Sequence, residues 1–206
     1  MNFETFSHKL SYALSKDLPG LKVQQIMLPE GREKKIPSNL KNVKKSAVML
    51  LCYFHKNEIY IVLIKRAKDN GKHSGQIAFP GGGVESYDED IIATAVRETN
   101  EEIGVSYIEI IGKLSPIYIP VSNYMMQPIV GLLKNKPNFV RSKNEVAEIY
   151  SINIKKLIEA KVVTKTFTIN NETVTAPFYI VDNIEIWGAT AMVLSEFIEI
   201  LKNIEL

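Results

Sequence analysis

Apolar residues fill positions 46–54 and 59–66 almost without interruption, and His55-Lys56-Asn57-Glu58 separates the two runs. That pattern predicts a β-hairpin with buried strands. A different period governs residues 3–16, where an amphipathic helix is predicted. It returns after residue 90, where Ile92, Ala95, Val96, Thr99 and Ile103 fall on one stripe at ~100° per residue. Further strands are predicted at 106–114, 125–133 and 146–152, a short helix at 153–160, a hairpin of 162–169 and 173–180 around Asn170-Asn171-Glu172, and a terminal helix at 187–202. Between Leu18 and Lys45, Pro19, Pro29, Pro37 and several lysines predict an extended, partly mobile connector. No internal repeat or low-complexity tract interrupts the order. Strands interleaved with helices predict one α/β domain over 46–206, preceded by a helix and connector over 1–45.

The helix after residue 90 ends unusually. Arg97-Glu98-Thr99-Asn100-Glu101-Glu102-Ile103-Gly104-Val105 places three carboxylates in its last turns, where the macrodipole disfavours anions. At its start, Ser86-Tyr87-Asp88-Glu89 has the form of a capping box with Ser86 as the cap, and Gly104 is suited to the stop. Glu98 and Glu102 are i,i+4 neighbours and Glu101 is three residues from Glu98, so the three are expected to project together from a face away from the apolar stripe. A solvated charged helix is the competing account. Phe79-Pro80-Gly81-Gly82-Gly83 upstream, a turn-and-glycine segment, favours a site, because glycines let backbone N–H and C=O groups approach a ligand. A divalent metal would compensate the misplaced acids, and hard cations take oxygen ligands.

Composition narrows the setting. The 206 residues are 46% hydrophobic and 23% charged, enough for one well-buried core. A net charge of +2 and a pI near 8.5 fall short of the basic footprint of a dedicated nucleic-acid binder. No apolar stretch approaches ~20 residues and the start has no signal-like pattern, so a cytoplasmic protein with no membrane partner is expected. A monomer and a homodimer are both compatible with the pattern. Cys52 is the single cysteine, which excludes an internal disulfide and a cysteine-based zinc cluster, and its apolar surroundings predict a core residue. His8, His55 and His73 share no metal-ligand spacing, and His73 alone lies beside the glycine segment.

The run from Gly83 through Glu89 to Arg97-Glu98-Thr99-Asn100-Glu101-Glu102-Ile103-Gly104-Val105 resembles the Nudix box, with Thr99 at the usual aliphatic position. Around it, Val62-Leu63-Ile64-Lys65-Arg66-Ala67 and Gly75-Gln76-Ile77-Ala78-Phe79-Pro80-Gly81-Gly82 are similar to the upstream signature of the coenzyme A pyrophosphatase branch. Where that signature usually has Thr and Arg, this chain has Ile64 and Gly71, with Lys72 next to the latter. Tyr118-Ile119-Pro120-Val121-Ser122-Asn123-Tyr124 and Ile186-Trp187-Gly188-Ala189-Thr190-Ala191 also resemble segments of that branch.

The resemblance implies a Nudix-type α/β/α sandwich with a mixed β-sheet. It further implies Mg²⁺- or Mn²⁺-dependent hydrolysis of a diphosphate in coenzyme A or its thioesters, giving 3′,5′-ADP and a 4′-phosphopantetheine product. Hydrolysis of ADP-ribose or another nucleoside-diphosphate derivative, and a non-catalytic Nudix-fold binding module, are the alternatives. A phosphoanhydride repels incoming water, and a hard cation both neutralises its oxygens and acidifies water. Glu98 and Glu102 are the leading metal ligands. Glu101 is a third ligand or a base, Glu145 is another candidate base, and a backbone carbonyl of Gly81 or Gly82 is an additional donor. Arg97 is expected to hold Glu101 in place from four residues away. Lys65, Arg66, Lys68, Lys72 and His73 are candidates for the substrate's phosphates, with a solvated basic loop as the competing account. Tyr118, Asn123, Tyr124 and Gln127 are candidates for its organic part, and Trp187 is expected to pack under the terminal helix.

Overall fold

The computed structural model describes residues 1–32, 40–68, 73–169 and 172–204. Strand β1 (Lys44–His55) is its axis. It turns through Lys56 and Asn57, both at positive φ (51° and 61°), into the antiparallel β2 (Glu58–Arg66). Left-handed conformation at both turn positions matches the twist of a tight hairpin, and asparagine tolerates it better than most residues. On its other side β1 pairs in parallel with β7 (Tyr124–Leu133), from Lys44 opposite Tyr124 to Tyr53 opposite Leu133.

Around this centre the sheet acquires β3 (Ile77–Ala78) and β8 (Val146–Asn153) on β2, β4 (Gly81–Gly83) on β1, and β5 (Glu109–Lys113) and β6 (Ile117–Ile119) on β7. One parallel pair among antiparallel ones makes the sheet mixed.

The uninterrupted apolar run of β1 is explained by burial on both faces. Ala47, Met49, Leu51 and Tyr53 point to one side and pack with Ala95 and Ile103 of α3 (Ile91–Ile103). Val48, Leu50 and Cys52 point to the other and pack with Phe6, Leu10 and Leu14 of α1 (Phe3–Leu14) and with α5 (Gly188–Asn203). The α/β/α sandwich is therefore present, and Cys52 is a core residue whose thiol is pushed up by burial. A smaller antiparallel sheet of β9 (Val162–Ile169), β10 (Glu172–Val181) and β11 (Ile184–Trp187) follows α4 (Ile154–Ile158) and leads into α5. Among the described residues no helix is long and apolar enough to cross a membrane.

Three local expectations need correction. Helix α3 is capped by Asp90, whose Oδ1 accepts from the N–H groups of Ile92 (2.8 Å) and Ala93 (2.7 Å), and Ser86 lies outside the helix. A carboxylate on two free N–H groups at the positive end of the dipole is a stronger cap than a serine. The segment after Pro19 is not extended throughout, because Leu21–Gln24 form α2 and Gln25–Met27 a 3₁₀ turn, with Gln24 and Met27 buried. The glycines are not a free turn either: Gly81–Gly83 form a strand on β1, with Gly82 opposite Ala47, while Gly81 N–H and Gly83 C=O bond to side chains of α3. Lys72, Pro37 and the Asn170-Asn171 turn lie outside the described residues.

Helix α1 contributes to the same core as β1, with Phe6 and Leu10 fully buried. Leu10→Ala should therefore lower the unfolding free energy by about 2–5 kcal/mol in a denaturant titration, a core-sized loss that a loosely attached helix would not give.

Candidate active site

Helix α3 lies across β4, and the contact requires glycine. A Cβ on Gly81 would overlap the backbone of Ala47 and Val48, and one on Gly82 would overlap the carboxylate of Glu98. Only a strand without side chains lets an acidic helix come this close. Gly81 N–H donates to Glu102 Oε2 at 2.9 Å, and Arg66 Nη1 lies 3.6 Å from Glu102 Oε1. At the end of α3, Gly104 takes a left-handed conformation (φ 73°, ψ 27°) and its N–H closes on Asn100 O.

The three helix acids are not equivalent. Glu102 is 2% exposed, the Glu98 side chain is 16% exposed and that of Glu101 is 49% exposed. The expected separation of an apolar stripe from a solvated acidic face thus holds only for Glu101. Thr99, on the core side, satisfies its hydroxyl by donating to Ala95 O at 2.6 Å. Burial raises the Glu102 carboxyl to about 7, against the Gly81 N–H and Arg66, and the charges of Glu98 and Glu145 push the same way. Burial also raises Glu98, with Arg97 opposing it.

Arg97 binds more than its expected partner. Nη1 donates to Glu101 Oε2 (3.0 Å) and to Glu98 Oε1 (2.8 Å). Nε and Nη2 grip Asp88 in a fork at 2.8 and 3.0 Å, and Nη2 also donates to Gly83 O at 3.0 Å. Asp88 in turn accepts from Glu85 N–H and the Thr94 hydroxyl, both at 2.9 Å. The guanidinium beside it holds the Asp88 carboxyl well below the usual carboxylate range. Sequence reasoning misses Asp88 as a site residue because the helix-start pattern already accounts for it.

These groups open onto a polar cleft of about 400 Å³, lined by Glu85, Glu98, Glu101, Glu102 and Glu145 together with Arg66 and Arg97. Five acids against two arginines form an oxygen-rich donor set suited to a hard divalent cation. Burial is the main cause of the raised Glu98 and Glu102 carboxyls, with neighbouring acids adding to it, and such a cation would favour their charged forms. Among the described residues no three acids already converge as a closed cage, since Glu98 is turned onto Arg97 and Glu102 onto Gly81.

A second, larger cavity of about 710 Å³ meets the cleft at Arg66, Gly81 and Gly82. Its walls include Val48, Phe79, Ile117, Met126, Trp187 and Met192. Tyr118, Tyr124 and His73 reach it, with Tyr118 donating to Asn123 Oδ1 (3.0 Å) and His73 Nδ1 bonded to Gln76 Oε1 (3.1 Å). Asn123 itself sits in a turn at φ 56° and donates to Asn42 O, and the Gln127 amide donates to Leu114 O and Pro128 O. Lys65 pairs with Glu148 at 3.2 Å. Lys65, Lys68, Asn123 and Gln127 border neither cavity. Trp187 packs against Phe167 and Phe178 of the small sheet (4.8 and 5.9 Å between ring centres), so it forms a cavity wall there and does not underlie α5. Leu21, Leu28, Pro29 and Arg32, from the stretch expected to be a connector, line the cavity as well.

The model of the NUDIX domain matches residues 43–163. The uncharacterized Nudix hydrolase NudL of Yersinia pestis (strain Pestoides F) is 33% identical over 156 residues, 73% of this chain and 76% of that protein. Its counterpart in Enterobacter sp. (strain 638) is 35% identical over 111 residues, 53% of this chain, and that match spans only 57% of the relative. Among solved structures, the Nudix hydrolase RenU from M. smegmatis superposes with a TM-score of 0.56 at 14% identity, covering 79% of this chain and 88% of RenU. A MutT/nudix family protein from Enterococcus faecalis gives 0.51 at 16% identity, covering 82% and 65%. The structures establish a shared fold. The domain match and the NudL likeness place the chain in the Nudix hydrolase family, whose chemistry is cleavage of a diphosphate linkage.

Glu102 sets the sign of a pH dependence. In the folded, metal-free chain it titrates at about 7, whereas an unfolded glutamate titrates at about 4.3. The folded state holds the proton more tightly, so this residue's contribution to stability falls as pH rises from about 4 to about 7. In EDTA, Glu102→Gln should melt increasingly above the wild type across that window, the difference levelling off near pH 8 at no more than about 4 kcal/mol. A melting-temperature difference that is the same at pH 4.5 and pH 8 would contradict this origin.

Proposed function

We propose that the chain hydrolyses the diphosphate of coenzyme A or an acyl-coenzyme A, with Mg²⁺ or Mn²⁺, to 3′,5′-ADP and 4′-phosphopantetheine or its acyl derivative. The observation that carries this reading is the junction of an acidic cleft with a large, mainly apolar cavity at Arg66, Gly81 and Gly82. A diphosphate seated at that junction would have its anionic centre among metal-binding acids and an organic arm in the apolar space. ADP-ribose, whose two ends are both polar sugars or nucleoside, makes less use of such walls.

Glu98, Glu102 and Glu101 would hold the cation, with the Gly82 carbonyl as a further oxygen donor. When bound, the cation neutralises phosphate charge and supplies a more acidic water. Arg66, at the junction, offers a planar cation to the substrate's phosphates. Glu145, which lines the same cleft, and Glu101, the most exposed helix acid, are both placed to take a proton from the attacking water. Arg97 keeps Glu98 and Glu101 from swinging apart.

A panel of coenzyme A, dephospho-coenzyme A, ADP-ribose, NADH and nucleoside triphosphates, each with Mg²⁺ and Mn²⁺, tests the reading. Coenzyme A or an acyl derivative should have the highest kcat/KM. Preference for ADP-ribose would overturn the substrate assignment, and no turnover of any compound would overturn the hydrolase assignment for this chain. Within an active enzyme, Glu102→Gln should abolish turnover while the far-ultraviolet spectrum is kept. Arg97→Lys should lower kcat/KM by about 10- to 100-fold, because an ammonium cannot reproduce the fork on Asp88 while also reaching two glutamates.

A further inference from the structure

Glu196 lies in the middle of α5 and is fully buried. Among the described residues it accepts from four donors, none of them charged. Oε1 accepts from Gly20 N–H (3.0 Å) and from the Ser115 hydroxyl (2.6 Å). Oε2 accepts from the Gln24 amide (2.9 Å) and from Ser115 N–H (3.2 Å). The Gln24 amide also donates to Ser115 O at 3.2 Å, so the cluster closes on itself. Gly20 is in the left-handed region (φ 56°), and a Cβ there would press on Ser115 Oγ.

Burying a carboxylate costs several kcal/mol, and apolar packing of similar volume is often at least as stable. What the carboxylate adds is direction: it fixes three chain segments at set distances from one another. Each continues into a wall of the large cavity. Gly20 and Gln24 flank Leu21 and lead to Leu28 and Pro29, Ser115 leads to Ile117 and Tyr118, and the first turns of α5 supply Thr190 and Met192. Gly20, Gln24, Ser115 and Glu196 are all absent from the lining of the acidic cleft.

We propose that Glu196 is a positioning residue that sets the width of the apolar cavity by latching residues 20–29 to the 115–118 wall, and so determines which organic arm the diphosphate substrate carries. The proposal rests on the hydrolase reading above and extends it to a residue remote from the cleft. The favoured arm is long and apolar.

Trp187 is the chain's single tryptophan and lines this cavity, so its fluorescence reports occupancy without turnover. In EDTA, titration of the wild type should show decanoyl-coenzyme A binding about tenfold more tightly than coenzyme A, an effect on the order of that expected from a few buried methylenes. Glu196→Gln, which turns an amide N–H toward a ring of donors, should bring that ratio close to one. Ser115→Ala, which removes a single side-chain donor, should give an intermediate ratio. With metal, the loss should appear in KM for decanoyl-coenzyme A and not in kcat. Should Glu196→Gln fail to fold, Ser115→Ala and the wall variant Leu28→Phe decide the matter, and both should narrow the preference. An unchanged ratio in folded Glu196→Gln or, failing that, in Ser115→Ala and Leu28→Phe overturns the proposal, as does an equal loss for both ligands. A wild type that shows the fluorescence preference but hydrolyses neither compound overturns the coenzyme A substrate assignment and leaves the latch standing.

Discussion

The contact that organises the site is the guanidinium of Arg97. One side chain ties the body of α3 to the loop before it through Asp88, to the edge of the glycine strand through Gly83, and to the two acids Glu98 and Glu101. Without a cation there, Glu98 would face Gly82 backbone and neighbouring acids in a half-buried setting with no counter-charge, which would favour protonation over metal binding. The planar fork matters as much as the charge, since it lets a single residue satisfy partners lying in three directions.

That arrangement leaves negative charge under-compensated in the metal-free chain. Glu102 is buried against a single N–H and a distant arginine, in sight of Glu98 and Glu145. Burial of Glu102 without a full counter-charge costs stability, and perturbed carboxyls of this kind cluster at functional sites. The glycines make the arrangement geometrically feasible, because a side chain at 82 would collide with the Glu98 carboxylate and one at 81 with β1.

Much of this was legible in the chain, and the exceptions have physical causes. The two-sided burial of β1 follows from an apolar run too continuous for a half-exposed strand, and the α3 stripe follows from its period. The acid cluster was visible as a charge at the wrong end of a dipole. The cap differs from the expected Ser86 because the helix begins at Ile91, four residues beyond the start that the capping-box pattern implies, and Asp90 is the residue that meets its free N–H groups. Residues proposed for the substrate side were the least readable. Asn123 and Gln127 look like pocket residues in sequence but commit their amides to backbone carbonyls. Leu21, Leu28 and Pro29 sit in a proline-marked, low-periodicity stretch, and the bonds that hold it in the cavity wall run from Gly20 and Gln24 to Glu196, almost a whole chain away.

That distance has a consequence for how the molecule is made. Gln24 and Gly20 meet Glu196 across 172 and 176 residues, and Lys9 meets the Ile204 carbonyl across 195. Contacts of such long range form late, because loop closure must precede any gain from them. During synthesis the β1–β2 hairpin, the glycine strand and the acidic helix can all assemble while the large cavity still lacks α5. A growing chain would thus carry the acidic cleft before it has the full walls of the apolar cavity, which close only when α5 packs against residues 20–29.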